Sequence, residues 1–342
     1  MTEVRRAAAA LWSGKSTGAR VSRALLAPAQ AVYRAAVMGR AFLYDHRILK
    51  AGAMSVPVVS VGNLSVGGTG KTPVAAWLAG QLLERGLAPA IVLRGYGGDE
   101  TLVHKRLNSG VTVIESADRL RGMREALAEG IDVIVLDDAF QHRRAARDAD
   151  IVLIDADTWT GTTRLLPAGP WREPLSALRR ASLVVVTRKM AHEDSVSAVK
   201  RAAGNAASGV PIATVRLFPG ELRSTVTGQT LPLHAMEGAD VTAIAGIAQP
   251  DAFFRQLTSL GAVVRPHAFR DHHAFTVRDA ELLAESARAS DFAVCTLKDA
   301  VKLESLWPPD EGSLWYVSQR LKVEDGKHHI DRLLDDLLAA KQ

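Results

Sequence analysis

The sequence predicts an α/β fold: a mainly parallel sheet with helices on both faces, a second, smaller α/β domain, and an N-terminal amphipathic helix. Three observations predict it. Short apolar runs, VPVVSV (56–61), DVIVLDD (132–138), IVLIDA (151–156) and LVVVT (183–187), alternate with helical stretches. Strands that read as continuous apolar runs are those buried on both faces of a parallel sheet. A turn-rich tract near 217–240 then precedes a second series of strand and helix patterns, and residues 20–50 carry apolar side chains at three- and four-residue spacing among arginines.

In chain order, residues 1–19 read as an Ala-rich lead without committed structure. From residue 20 to 50, Leu25, Ala29, Val32, Ala36 and Leu43, joined by Leu26, Tyr33, Val37 and Phe42, form one apolar stripe, with Pro28 kinking or restarting the helix. The 342-residue chain has a net charge of +5, but its first fifty residues hold nine Lys or Arg against two acids, Glu3 and Asp45. Basicity is therefore local. A basic amphipathic helix of this kind suits an anionic membrane surface, where apolar burial and charge attraction add. It does not suit nucleic acid, because the charge is not interleaved with aromatics on an open surface. No run approaches the ~18 apolar residues of a spanning helix, and Arg20, Arg23 and Pro28 break up any secretion-signal core. The one cysteine, Cys295 in FAVCTL, excludes an internal disulfide and a cysteine zinc cage, and reads as a buried small hydrophobe in a reducing compartment.

The stretch 56–73, VPVVSVGNLSVGGTGKTP, places a β-branched strand, a glycine-rich turn and a helix in the order of a P-loop. Ser65, Val66, Gly67, Gly68, Thr69, Gly70, Lys71 and Thr72 form the expected nucleotide cradle, with Ser65 standing where the usual pattern opens on Gly. Backbone N–H groups and the helix N-terminus hold phosphate oxygens, Lys71 reaches the outer phosphates, and the Thr72 hydroxyl faces Mg²⁺.

Strands follow at 89–93 (PAIVL) and 111–114 (VTVI), with a helix opened by residues 116–118. The run 132–138 ends in Asp137 and Asp138, the acids that support Mg²⁺ beside a P-loop. RLLPAGPWREP (164–174) is an irregular loop holding Arg172 and Glu173. Such groups gather outside the carboxyl ends of the strands, where ligands of parallel sheets bind. The second unit reads as strand VTAIAG (241–246), helix 250–260, strand AVVRPHAF (262–269), a helix with a Thr276/Asp279 capping-box start, then FAVCTL (292–297) and LWYV (314–317). His272 and His273 lie in the loop after the second of these strands, with no further cluster at metal-ligand spacing.

Together, LRGYG (93–97), GDE (98–100), LDDAFQHRRAARDADIVLIDA (136–156), LLPAGPWREPLSALRRA (165–181), AIAGIAQPDAFF (243–254), FRDHHAFT (269–276) and KDAVKL (298–303) resemble the tetraacyldisaccharide 4′-kinases of lipid A synthesis. The resemblance implies an ATP- and Mg²⁺-dependent kinase, peripheral on the cytoplasmic face of the inner membrane. It would phosphorylate the 4′-hydroxyl of an acylated glucosamine disaccharide 1-phosphate, with no obligate protein partner evident. It implies domains at 1–50 (membrane helix), 51–217 (P-loop core), 218–239 (linker or hairpin) and 240–342 (second α/β domain). Asp99 is implied as the base, with His272 orienting it from the opposite domain once the domains close, and Lys71 as the third catalytic residue. Thr72, Glu100, Asp138 and Asp137 are candidates for the metal shell, and Gln141, His142, Arg172 and Glu173 for the sugar and phosphate end. Three features depart from the family pattern: Gly97 runs straight into Gly98, Leu297 stands where Glu is common, and Trp171 replaces a usual Leu. The reading from another class, a P-loop switch ATPase or GTPase, lacks an NKxD-type guanine reader, because the corresponding strand end is Thr187-Arg188-Lys189.

Overall fold

The structure is a computed structural model and describes residues 8, 11–12, 14, 16–95 and 98–339. The chain divides into two compact units, residues 1–94, 108–217 and 321–342 in the first and 95–107 with 218–320 in the second.

In the first unit, helices α1 (Thr17–Leu25) and α2 (Ala27–Asp45) come first. Ser16 caps α1, its Oγ accepting from Ala19 N at 3.2 Å. The helix therefore starts inside the stretch expected to lack structure; the rest of that lead lies mostly outside the described residues. Pro28, tolerated in a first turn where no N–H is needed, restarts the chain as α2. Strands β1 (Val58–Asn63), β2 (Pro89–Leu93), β3 (Thr112–Glu115), β4 (Val133–Asp137), β5 (Ala149–Asp155), β6 (Leu183–Arg188) and β7 (Ile212–Ser224) form a parallel sheet in the order β7-β6-β5-β1-β4-β2-β3. Helix α3 (Lys71–Glu84) follows β1. The period of two divides each strand between two cores. Val59, Val61, Val133 and Val135 join Leu78 and Leu82 of α3, while Val58, Ile134 and Leu136 join Met123 on the other side. Both faces are apolar, so the strands lack alternation.

The second unit opens with α4 (Asp99–Leu107). Within the GDE stretch, Asp99 and Glu100 thus form the first turn of a helix, at the end where acids are favoured. Strands β9 (Asp240–Ala245), β10 (Val263–Ala268), β11 (Phe292–Thr296) and β12 (Leu314–Asp325) pair in parallel as β10-β9-β11-β12. Strand β8 (Thr230–Pro232) pairs antiparallel with the far end of β7. The capping box is present at α8 (Val277–Ala287), Thr276 and Asp279 bonding reciprocally. Cys295 is fully buried, as its apolar run suggests. Between α8 and β12 lies α9 (Leu297–Leu303). Helices α5 (Arg119–Ala128), α6 (Glu193–Ala206) and α7 (Pro250–Ser259) follow β3, β6 and β9.

The last helix, α10 (Lys327–Ala339), belongs to the first unit. Ile330, Leu333, Leu334 and Leu337 recur at helical spacing and enter the core of α3 and the sheet. Periodicity shows that a helix has an apolar face, not which sheet receives it. Leu334 is fully buried there, and Leu334→Ala is expected to destabilise the protein by about 2–5 kcal/mol. Chemical denaturation would read this as a lower midpoint.

Candidate active site

The P-loop is fixed at its middle and open at its rim. Thr69 is buried; its Oγ1 accepts from Asn63 Nδ2 at 2.9 Å and its carbonyl accepts from Thr187 Oγ1 at 3.0 Å. Gly67 and Gly68 are exposed, and nothing lies within 4 Å of where their Cβ atoms would be. Gly70 caps α3 at φ +85°, a conformation that favours glycine, and a Cβ there would press on the Leu217 Cδ1 methyl at 2.6 Å. Ser65 bridges to Trp171, and Val66 N donates to Pro170 O at 2.8 Å. The position that departs from the usual P-loop glycine is therefore tied to the PWREP loop, and Trp171 is buried as an apolar anchor.

Around this loop the structure assembles one polar network. Lys71 Nζ lies 3.8 Å from Asp138 Oδ1. Arg172 Nη1 reaches the same carboxylate at 3.2 Å and Gln141 Oε1 at 3.2 Å. Gln141 Nε2 donates to Asn63 O at 2.8 Å and Glu173 Oε1 at 3.1 Å. Asp137, the last residue of β4, is buried. Asp138 takes φ +49°, a left-handed conformation that costs energy in a non-glycine residue. Close approach explains the crowding: a Cβ on Gly62 would lie 2.6 Å from Phe140 Cβ and 2.8 Å from its backbone N.

Sequence reasoning missed several members of this network. Arg180 donates to Glu173 at 2.8 Å and lies over the Phe140 ring at 4.4 Å. Tyr33 Oη donates to the Arg172 carbonyl at 3.1 Å, and Arg40 Nη1 to the Gln141 carbonyl at 3.0 Å. Arg180 sat inside a motif already singled out, whereas Tyr33 and Arg40 read only as helix-face residues. His142 stands apart: its side chain does not join the Arg172 network. Burial, then the charges of Arg119, Arg147 and Arg40, hold its pKa below the ordinary imidazole value.

The second cluster lies wholly within the second unit. Asp99, 2 % exposed, lies with Oδ2 2.9 Å from His272 Nδ1. His272, its side chain 32 % exposed, takes φ +55° and is followed on its other ring nitrogen by Asp271 at 3.8 Å. The expectation that Asp99 and His272 come from opposite domains is corrected. Helix α4 belongs to the second unit and packs on α9, so the pair forms without any domain movement. Burial pushes the Asp99 carboxyl up, but the His272 hydrogen bond and charge, with Lys298 and Lys302, outweigh it and leave the pKa lowered. The same bond raises His272, against burial. The contact thus favours the ionised carboxylate together with the protonated imidazole. Glu100 lies beside it on α4, 4.0 Å from Lys298 Nζ. The Gly97–Gly98 junction lies partly outside the described residues.

Among the described residues no three His, Cys, Asp or Glu side chains converge on one point as a metal cage. Thr72 with Asp137 or Asp138 nevertheless offers the hard oxygen donors that suit Mg²⁺, which keeps several waters and takes the rest of its shell from substrate phosphates.

A glycine-rich phosphate cradle with Lys71 and strand-end acids, together with a buried carboxylate–imidazole pair, defines a P-loop phosphotransferase. A model of the family described as tetraacyldisaccharide-1-P 4′-kinase (LpxK) matches residues 22–103 and 97–339. A tetraacyldisaccharide 4′-kinase from Anaeromyxobacter sp. (strain Fw109-5) is 38 % identical over 344 residues, 92 % of each chain. One from Halorhodospira halophila (strain DSM 244 / SL1) is 38 % identical over 317 residues, 87 % of this chain and 88 % of the relative. The crystal structure of LpxK from Aquifex aeolicus in complex with ATP is similar with a TM-score of 0.72 at 29 % identity, over 93 % of this chain and 99 % of that one. The chain belongs to the tetraacyldisaccharide 4′-kinase family and is an ATP-dependent kinase.

Proposed function

We propose that the chain transfers the γ-phosphoryl group of ATP to the 4′-hydroxyl of a tetraacylated glucosamine disaccharide 1-phosphate, in lipid A synthesis, at the cytoplasmic face of the inner membrane. Beyond family membership, the observation that carries this reading is the 2.9 Å contact of buried Asp99 with His272. A sugar hydroxyl is a weak nucleophile, and a positioned carboxylate must take its proton as phosphoryl transfer proceeds.

In this mechanism Gly67, Gly68 and the N-terminus of α3 hold the phosphates, and Lys71 neutralises charge on the outer ones. Thr72 and Asp138, with Asp137 behind, would hold Mg²⁺, and Glu100 is the remaining candidate; bound there, the ion neutralises phosphate charge. Asp99 accepts the 4′-hydroxyl proton while the oxygen bonds to the γ-phosphorus and ADP leaves. His272 holds the carboxylate ionised and oriented. Gln141, His142, Arg172 and Glu173 serve the sugar and phosphate end; His142, its pKa lowered, is neutral there and both donates and accepts.

Asp99→Asn is expected to lower kcat by about 10²–10⁴-fold, the usual span for a general base, with ATP affinity nearly unchanged. Transfer of labelled γ-phosphate in mixed micelles, beside ATP binding by calorimetry, checks both. Equal loss of both would make Asp99 a metal holder. His272→Ala removes the largest influence that lowers the Asp99 pKa and leaves only Lys298 and Lys302 against burial, which raises it. Activity needs the ionised carboxylate, so the acid limb of the kcat/KM profile should move to higher pH; an unmoved limb would put the base elsewhere.

Membrane attachment is proposed for α1 and α2. Val21, Leu25, Val32, Met38 and Phe42 are exposed along them, Val32 by 71 % and Phe42 by 53 %, beside the excess of arginine. No helix among the described residues is long and apolar enough to cross a membrane, which suits a helix lying in the interface. Val32→Ser with Phe42→Ser should reduce co-sedimentation with vesicles rich in anionic lipid while leaving kcat on micellar substrate near its original value. Undiminished sedimentation would refute the attachment.

A further inference from the structure

We propose that Lys302 and Asp299, in the KDAVKL stretch that the mechanism leaves unused, are positioning residues that hold the 271–273 loop so that His272 meets Asp99. The inference rests on the reading of Asp99 and His272 as the catalytic pair. Asp299 is 0 % exposed. Its Oδ2 accepts from Gly246 N at 3.0 Å and from Thr296 Oγ1 at 2.7 Å, and its Oδ1 lies 3.3 Å from Lys302 Nζ. Lys302 Nζ in turn donates to the His273 carbonyl at 3.1 Å and lies 5.1 Å above the Phe275 ring. Gly246, fixed through its N–H by Asp299, accepts from His272 N through its carbonyl at 3.1 Å.

The loop is therefore gripped at two consecutive residues, and both grips end on one buried carboxylate. The His272 N–H is held through Gly246, and the His273 C=O through Lys302. Such a grip has a purpose here, because His272 sits at φ +55°, a conformation that a non-glycine residue keeps only when its surroundings impose it. Packing adds direction without replacing the grip: Phe269 stacks on His273 at 4.8 Å, and Phe275 meets His273 edge-on at 4.9 Å. A side chain at Gly246 would break the arrangement, since its Cβ would lie 2.9 Å from Asp299 Oδ1 and 3.5 Å from His273 Cβ. Neither Lys302 nor Asp299 is given contact with substrate. They act through His272.

The test uses the full chain in mixed micelles with Mg²⁺-ATP and the tetraacylated acceptor. Lys302→Met, which keeps the apolar stem over Phe275, and Asp299→Asn, which keeps the side-chain shape, should each lower kcat on the order of tenfold, within the ~10²-fold that a misplacement of about 1 Å can cost. KM for ATP and the thermal midpoint should stay near their original values. In a His272→Ala background, Lys302→Met should cost less than about twofold, because two residues acting through one contact are not additive. An undiminished effect in that background, or a loss of activity matched by a loss of folding in both variants, would overturn the proposal. A readout independent of turnover is the ¹H–¹⁵N spectrum of the His272 ring. Its hydrogen-bonded Nδ1 proton, shifted downfield by Asp99, should be lost in Lys302→Met, and an unchanged resonance would overturn the proposal whatever the kinetics. If that proton is lost but His272→Ala leaves kcat intact, the positioning role stands and the assignment of the catalytic pair fails.

Discussion

A carboxylate shielded from water remains ionised only where hydrogen bonds and opposite charge offset its desolvation. Asp99, 2 % exposed, meets that condition through His272, with Lys298 and Lys302 adding charge from α9. The reactive cluster of the second unit depends on this one constraint. It explains why a helix of nine residues carries its acids in the first turn, where the backbone dipole also favours negative charge. It also explains why a strained histidine is tolerated beside it. An isolated carboxyl at the same depth would be pushed toward its protonated form. His272, which opposes this, is itself only partly exposed, so each group favours the charged form of the other.

The first unit applies a different solution to phosphate. The charges there are paired with one another, and the backbone of the loop is held by geometry. The N–H groups at the rim of the P-loop stay open because the residue between them and the helix, Thr69, is tied down by Asn63 and Thr187 from two different strands. Asp138 is held between Lys71 and Arg172, and Arg172 is shared with Gln141. Each cation of this set therefore has a protein partner before any phosphate arrives.

Much of this was legible in the sequence, and the physical reason differs from part to part. Strands β1, β4, β5 and β6 were readable because burial on both faces leaves an uninterrupted apolar run. The cradle from Ser65 to Thr72 was readable because glycine is favoured at positions such as Gly70, where φ is positive and a Cβ would press on Leu217. The helical state of Asp99–Leu107 was not readable. Its mean composition is polar, and it is stabilised by packing on α9 and by an ion pair between Arg106 and Glu304, two partners almost two hundred positions apart. The same holds for α10, which the sequence reading left inside a second domain at 240–342: nothing within the helix announces that its apolar stripe enters the core of the first unit. The pairing of Asp99 with His272 came from family resemblance; no spacing in the chain announces it, and the resemblance assigned the two to different domains.

The N-terminal helices connect the least and the most specific parts of the first unit. Their outer face is apolar and basic, a pattern that many surfaces could satisfy, but their inner face is bonded to defined carbonyls. Tyr33 donates to Arg172 and Arg40 to Gln141, the two residues that bracket Asp138 and Glu173. Arg143 returns the connection, donating to the Ala41 carbonyl and pairing with Asp45 near the end of α2. A helix attached by its backbone-directed donors cannot shift along its axis without moving the PWREP loop and the turn that follows β4. The exposed apolar face of α2 and the charged network beside the P-loop are therefore parts of one hydrogen-bonded body.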